Sequence, residues 1–137
     1  MQDPFVGTWI LNVGKSEFDA NHRPQAGTMV VELDAEGYYL QKAEGINGKG
    51  EKVAERPQRF IPDGLLHPIP DFPGLSYIAT RPDPNTMTTE ARREDGSVVG
   101  GGTTVVSADG KSKTVSNFGY DTQLRQFKMT TVWDRQS

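Results

Sequence analysis

The chain has 137 residues, a length that suits one domain able to bury roughly two-thirds of its unfolded surface without staples. With 34% apolar and 24% charged residues and a mean hydropathy of -0.60, it lies on the polar side of globular and outside the disordered regime. Fifteen Lys plus Arg against eighteen Asp plus Glu leave a net charge of -3, and no basic run exceeds Arg92-Arg93, so nucleic acid is a poor partner. The absence of cysteine excludes disulfides, thiolate metal sites and thiol nucleophiles, leaving His22 and His67 as the imidazoles. The longest uncharged stretch, residues 96–108, is far short of the roughly 20 apolar residues of a membrane helix, and no membrane span is expected.

Nine prolines and fifteen glycines cut the chain into pieces too short for average helices, and those pieces are rich in Val, Thr, Tyr and Phe. In chain order, strands are expected at residues 5–12, 28–34, 38–46, 51–60, 75–81, 86–94, 97–107, 112–120 and 126–134. Between them stand short polar turns such as Ala35-Glu36-Gly37, Asn47-Gly48-Lys49-Gly50, Asp83-Pro84-Asn85, Asp95-Gly96 and Ala108-Asp109-Gly110-Lys111. Linkers this short join antiparallel neighbours, so the chain reads as a meander. Two connections are longer, residues 13–27 and 61–74. The second carries Pro62, Pro68, Pro70 and Pro73 and is expected to be irregular. Its Leu65, Leu66, Ile69 and Phe72 give it an apolar side that would rest over one opening or against the wall.

A meander with one apolar face removes its edges most simply by closing on itself. The expected fold is therefore all-β, a single antiparallel up-and-down β-barrel of about eight or nine strands covering residues 1–137, with a two-sheet sandwich as the alternative. Met29, Val31 and Leu33 alternate with polar neighbours, as do Met87, Thr89 and Ala91, and Phe127, Met129, Thr131 and Trp133. These rows should face inward. For the third strand either Tyr39, Gln41 and Ala43 or Tyr38, Leu40 and Lys42 line the interior, and the register of residues 97–120 is equally open. Gly100-Gly101-Gly102 marks a bend, or else a ligand lying against bare backbone. The hydroxyls among the inward rows, with Arg93 or Asn117 as further inward candidates, suit a lumen holding water or an amphipathic guest; a narrow barrel whose threonines satisfy one another is the other reading.

No nucleophile elbow, phosphate loop, zinc spacing or dinucleotide fingerprint occurs. Glu44, Glu55 and Glu90 with Arg56 and Arg92 could form an acid–base site inside a barrel, but cross-strand pairs on a solvated face explain them as well. Asp63-Gly64, Asp71 and Asp83 match no calcium loop. No cofactor, metal or catalytic residue is assigned.

The opening Pro4-Phe5-Val6-Gly7-Thr8-Trp9-Ile10-Leu11-Asn12 resembles the Gly-X-Trp signature of the lipocalin and calycin superfamily. The resemblance implies that Trp9 packs across a closed barrel end with an arginine over its indole, and Arg135 stands in the right place, with Gly7 completing the signature. Such a cation–π contact is worth about 0.5 to 2 kcal/mol. More specifically, the Gly-Thr-Trp-X-Leu-Asn start, Lys15-Ser16-Glu17-Phe18, the hairpin from Val105 to Lys111 and the ending Trp133-Asp134-Arg135 resemble small lipocalin-like proteins from soil bacteria, mostly of unassigned function. Avidins share Gly-Thr-Trp but use several more tryptophans than Trp9 and Trp133. Heme-binding nitrobindins need a proximal histidine, whereas His22 and His67 both fall in long connections.

The resemblance implies an extracytoplasmic location, periplasmic or secreted, with Met-Gln-Asp-Pro read as a mature start behind an added methionine. The expected function is non-enzymatic binding of a small, partly polar organic molecule in the lumen. Its expected contacts are Met29, Val31, Tyr39, Met87, Thr89, Phe127, Met129 and Thr131, with Tyr77 near the mouth. A lyase- or isomerase-type enzyme on the same barrel and a solid-cored interaction module are the alternatives.

Overall fold

The computed structural model describes residues 3–18, 23–55, 57–70, 72–120 and 126–136. In chain order the strands are β1 Gly7–Glu17, β2 Ala26–Leu33, β3 Tyr39–Ile46, β4 Lys52–Ala54, β5 Gln58–Phe60, β6 Leu66–Pro68, β7 Leu75–Asp83, β8 Thr86–Arg93, β9 Val98–Val106, β10 Ser112–Tyr120 and β11 Gln126–Arg135. They form one sheet in the order β4-β3-β2-β1-β11-β10-β9-β8-β7-β6, with β5 also on β3, and every pairing is antiparallel. No helix occurs among the described residues.

The hairpins are built by short polar side chains that take over backbone partners at the turns. Asp34 Oδ1 accepts from the Glu36 and Tyr38 amides at 2.9 Å each, and Gly37 beside it has φ +92°. Asn47 does the same for Lys49 and Glu51, and Asp95 and Asp109 repeat it for Ser97 and Lys111. These donors hold the Asp34, Asp95 and Asp109 carboxyls below their ordinary range, in part through backbone amides and in part through Ser97 and Ser107 hydroxyls.

Two features differ from the expected barrel. The sheet has eleven strands, where about eight or nine are expected, and its ends are not joined by a ladder. The run 51–60 is broken into β4 and β5 around Pro57, which has no N–H to give to β3. The connection 61–74 is not wholly irregular either, because Leu66–Pro68 adds β6 to the outer side of β7. That placement turns Leu65 and Leu66 outward, 62% and 56% exposed, so they do not form the apolar underside of a cover. Prolines at 57, 62, 68, 70 and 73 remove donors from the segment between β3 and β7, which would have to carry a continuous ladder across that gap. Side chains bridge the two edges instead. Arg81 Nη1 donates to Tyr39 Oη at 2.9 Å and to Asp3 Oδ2 at 3.2 Å, while the Tyr39 hydroxyl donates to Asp3 Oδ2 at 2.5 Å. Further along, the Ile61 amide donates to Tyr77 Oη at 3.2 Å.

At the glycine run, β8, β9 and β10 approach closely. A Cβ added to Gly101 would sit 2.6 Å from the Thr89 carbonyl oxygen, and the register slips between Ala91 and Arg92 opposite this stretch. The bare backbone thus admits neighbouring strands, which accounts for the glycine run without a ligand.

The core gathers at one end: Phe5, Trp9, Met29, Val31, Tyr39, Met87, Val106 and Trp133. Trp9 is fully buried, and its Nε1 donates to the Phe5 carbonyl at 3.2 Å. Arg135 lies over it, Cζ 4.2 Å from the ring centroid, and donates to the Pro4, Val6 and Gly110 carbonyls at 2.6 to 2.7 Å. Gly7, at φ +141°, makes room: a Cβ there would overlap Arg135 Nη1. One arginine thereby ties the N-terminal segment, the first and last strands and the β9–β10 turn to a single buried ring. Leu33 keeps the face of its row, opposite Tyr39, but is 43% exposed, since β2 ends there and leaves the core. Arg93, one of the inward candidates, is exposed at the end of β8.

Candidate functional site

Strand alternation aims one side chain in two at the inside of the curled sheet, and there the residues fail to fill the space. A half-enclosed cavity of about 1460 Å³ lies there. Met29 and Val31 of β2, Met87, Thr89 and Ala91 of β8, and Met129, Thr131 and Trp133 of β11 line it. On β3 the ladder places Tyr39, Gln41 and Ala43 inward, which resolves the register that periodicity leaves open, and Tyr77 joins them from β7. Phe127 is not among the lining residues: it packs across Gly119, where an added Cβ would lie 2.9 Å from its Cζ.

The polar groups of the wall are partly committed to one another. Thr131 Oγ1 accepts from Trp133 Nε1 at 2.9 Å and donates to the Val115 carbonyl at 3.4 Å. Tyr39 stacks on Phe60 at 5.7 Å, and burial together with Asp3 drives its hydroxyl upward from the usual phenol range. Burial also raises Tyr77. Gln41, Thr104 and Asn117 add further amide and hydroxyl groups to the wall.

Among the lining residues that sequence alone does not single out, Lys113 has the most unusual surroundings. Lys113 on β10 lies between Val106 and Trp133 in the ladder and is only 3% exposed. Its Nζ is 3.0 Å from Met29 Sδ and 4.7 Å from the centroid of the Trp9 ring. No carboxylate partners it among the described residues. Burial, and then the positive charge of Arg135, pushes its amine down to about 7. Lysine in a polar run such as Lys111-Ser112-Lys113 reads as exposed; counting the hairpin register from the Asp109-Gly110 turn to Trp133 is the signal that turns it inward.

Of the other chemical candidates, Glu44, Glu55 and Glu90 also border the cavity. Glu90 pairs with Arg92 at 3.3 Å, two residues along the same strand, while Glu44 and Glu55 are exposed and Arg56 lies outside the described residues. His67 stacks on Tyr77 at 5.2 Å and bonds Asp63 at 2.9 Å; His22 and Asp71 lie outside the described residues. No group of three or more metal-ligating side chains occurs among the described residues. No helix among them is long and apolar enough to cross a membrane.

No protein-family model matches the chain, and no curated protein matches it. Solved structures do. The wild-type fluorescent protein UnaG superposes with a TM-score of 0.65 at 12% identity, covering 99% of this chain and 100% of that one. As-p18, described as an extracellular fatty acid binding protein, superposes with a TM-score of 0.53 at 12% identity, covering 98% and 97%. A redesigned β-barrel gives 0.56 at 14% identity over 98% of this chain and 93% of that one. At these identities the likeness is one of architecture. The chain shares the antiparallel β architecture of these structures, curled around a cavity and left unjoined at one seam.

Proposed function

We propose that this protein binds a small, partly polar organic molecule in the cavity without transforming it, and that it does so outside the cytoplasm. The observation that carries the reading is the cavity itself. At about 1460 Å³ it exceeds the roughly 300 to 1,000 Å³ of ordinary ligand pockets, and its wall mixes methionines and aromatics with spaced hydroxyl and amide groups. A solid-cored interaction module has no use for such a space. The architectural neighbour described as a fatty acid binding protein fits an apolar guest, and Arg135 over the buried Trp9 beside Gly7 is the arrangement that the sequence resemblance associates with a closed barrel end. The extracytoplasmic placement rests on the sequence resemblance to bacterial lipocalin-like proteins.

Native mass spectrometry of protein purified from its own host, followed by a thermal-shift screen, tests the reading. A bound molecule at a hundred times its Kd stabilises the fold by about 2.7 kcal/mol through mass action. Thr89 and Met129 both line the cavity, so T89F with M129F should abolish the shift and leave the fold intact. A Tm rise that survives both substitutions would place the ligand elsewhere. Turnover of the retained compound would make the protein an enzyme.

A further inference from the structure

Among the described residues, Lys113 stands out as a cation buried without an anion. Its side chain lines the cavity, its ammonium meets a thioether and an indole face, and the like charge of Arg135 acts on it. We propose that Lys113 is a covalent anchor for an amphipathic aldehyde, whose carbonyl carbon is taken by Nζ to form an imine inside the cavity. The inference rests on the ligand-binding reading of that same cavity and names its substrate class.

The chemistry needs an unprotonated amine, because the nitrogen lone pair makes the new bond. A desolvated lysine beside another cation is the arrangement that supplies one, and here the two effects bring the amine to about 7. The nitrogen adds to the carbonyl carbon, both amine hydrogens leave with the carbonyl oxygen as water, and hydrolysis reverses each step. No oxidant or reductant enters. Thr89, Thr131 and Asn117 line the same space and offer hydroxyl and amide groups to a polar portion of the guest, while Met87 and Met129 face its apolar length. A carboxylic acid would bind differently, by protonating Nζ and forming an ion pair, and the buried lysine would then carry its charge.

The test uses n-decanal with sodium cyanoborohydride on the full chain at pH 7, read by intact mass and peptide mapping, beside decanol and decanoate as unreactive probes in a thermal-shift assay. One decyl adduct on Lys113 is expected, lost in Lys113→Met, with at least tenfold less labelling at Lys42, Lys49, Lys52 and Lys128. Adducts spread evenly over those lysines and unchanged by Lys113→Met would overturn the proposal. So would a Lys113-dependent shift with decanoate and no adduct from decanal, which assigns an ion pair. Lys113→Gln, which keeps a polar group of similar length, guards against loss of labelling through misfolding: it must show the decanol shift while losing the adduct. A decanol shift with no adduct sinks the imine alone, whereas neither shift nor adduct sinks the cavity reading with it.

Discussion

At the scale of single residues, Lys113 also makes a statement about stability. The unfolded chain holds its proton up to the ordinary lysine value of 10.5, whereas the folded chain releases it at about 7. Between those values the unfolded state binds more protons, so the contribution of Lys113 destabilises the fold at the acid end of the window and fades as pH rises. Two pH units within that window are worth roughly 2 to 3 kcal/mol. Lys113→Met should therefore raise unfolding free energy more at pH 7 than at pH 9, the difference between the two pH values being of that size. Urea titrations of both proteins at both pH values measure it. A gain that is the same at the two pH values would mean that the amine titrates as an exposed lysine does. Arg135 shows the opposite use of a cation, since its three carbonyl acceptors and the Trp9 face replace the water it gives up.

At the scale of elements, glycine in a strand has two meanings that predict opposite signs. By propensity alone, a β-branched residue in place of Gly101 strengthens β9. The geometry says otherwise: the new Cβ would meet the Thr89 carbonyl at 2.6 Å and Phe118 Cε1 at 3.1 Å, and the first of these is backbone that cannot swing away. Gly101→Val should destabilise the protein by about 1 to 3 kcal/mol, measured by urea unfolding. A neutral or stabilising result would show that the strands do not approach this closely. The same elements mark how far sequence reaches. Alternation at residues 29–31, 87–91 and 129–133 points the same way as the ladder, because the methionines and Trp133 share one face while Thr88, Glu90 and Thr130 fall on the other. Residues 38–43 carry apolar and polar groups on both faces, so only pairing with β2 decides that Tyr39 turns in and that Tyr38 lies outside under Arg59, 3.7 Å from Cζ. Lys113 escapes for a related reason: its burial is set by its partners across the ladder, and its own chemistry argues against it. The break at Pro57 was visible as a proline, yet its effect depends on which strand needs the missing donor.

At the scale of the whole molecule, the seam between β3 and β7 distinguishes this fold from a sealed barrel. Ladders hold every other junction along the sheet, whereas here the Asp3, Tyr39 and Arg81 cluster ties edges that share no backbone pairing. A ladder loses its bonds cooperatively, but a side-chain cluster opens when one contact goes, so the seam is the natural place for the cavity to admit a guest. Arg81 supplies two of the bonds and also covers Phe5, with Cζ 5.0 Å from the ring. Arg81→Met keeps the apolar cover and deletes the bonds, at about 1 to 2 kcal/mol given partial exposure of the pair. That loss corresponds to a rise of roughly 5- to 30-fold in the population of the opened seam. Amide hydrogen exchange should accelerate by that factor in Tyr39–Ile46 and Leu75–Asp83 while Ser112–Tyr120 and Gln126–Arg135, far along the sheet, keep their protection. A ligand held in the cavity should dissociate faster by a similar factor. Acceleration spread evenly over all four strands would instead mean that Arg81 supports the fold globally, and unchanged exchange at β3 and β7 would show that the edges stay together without it.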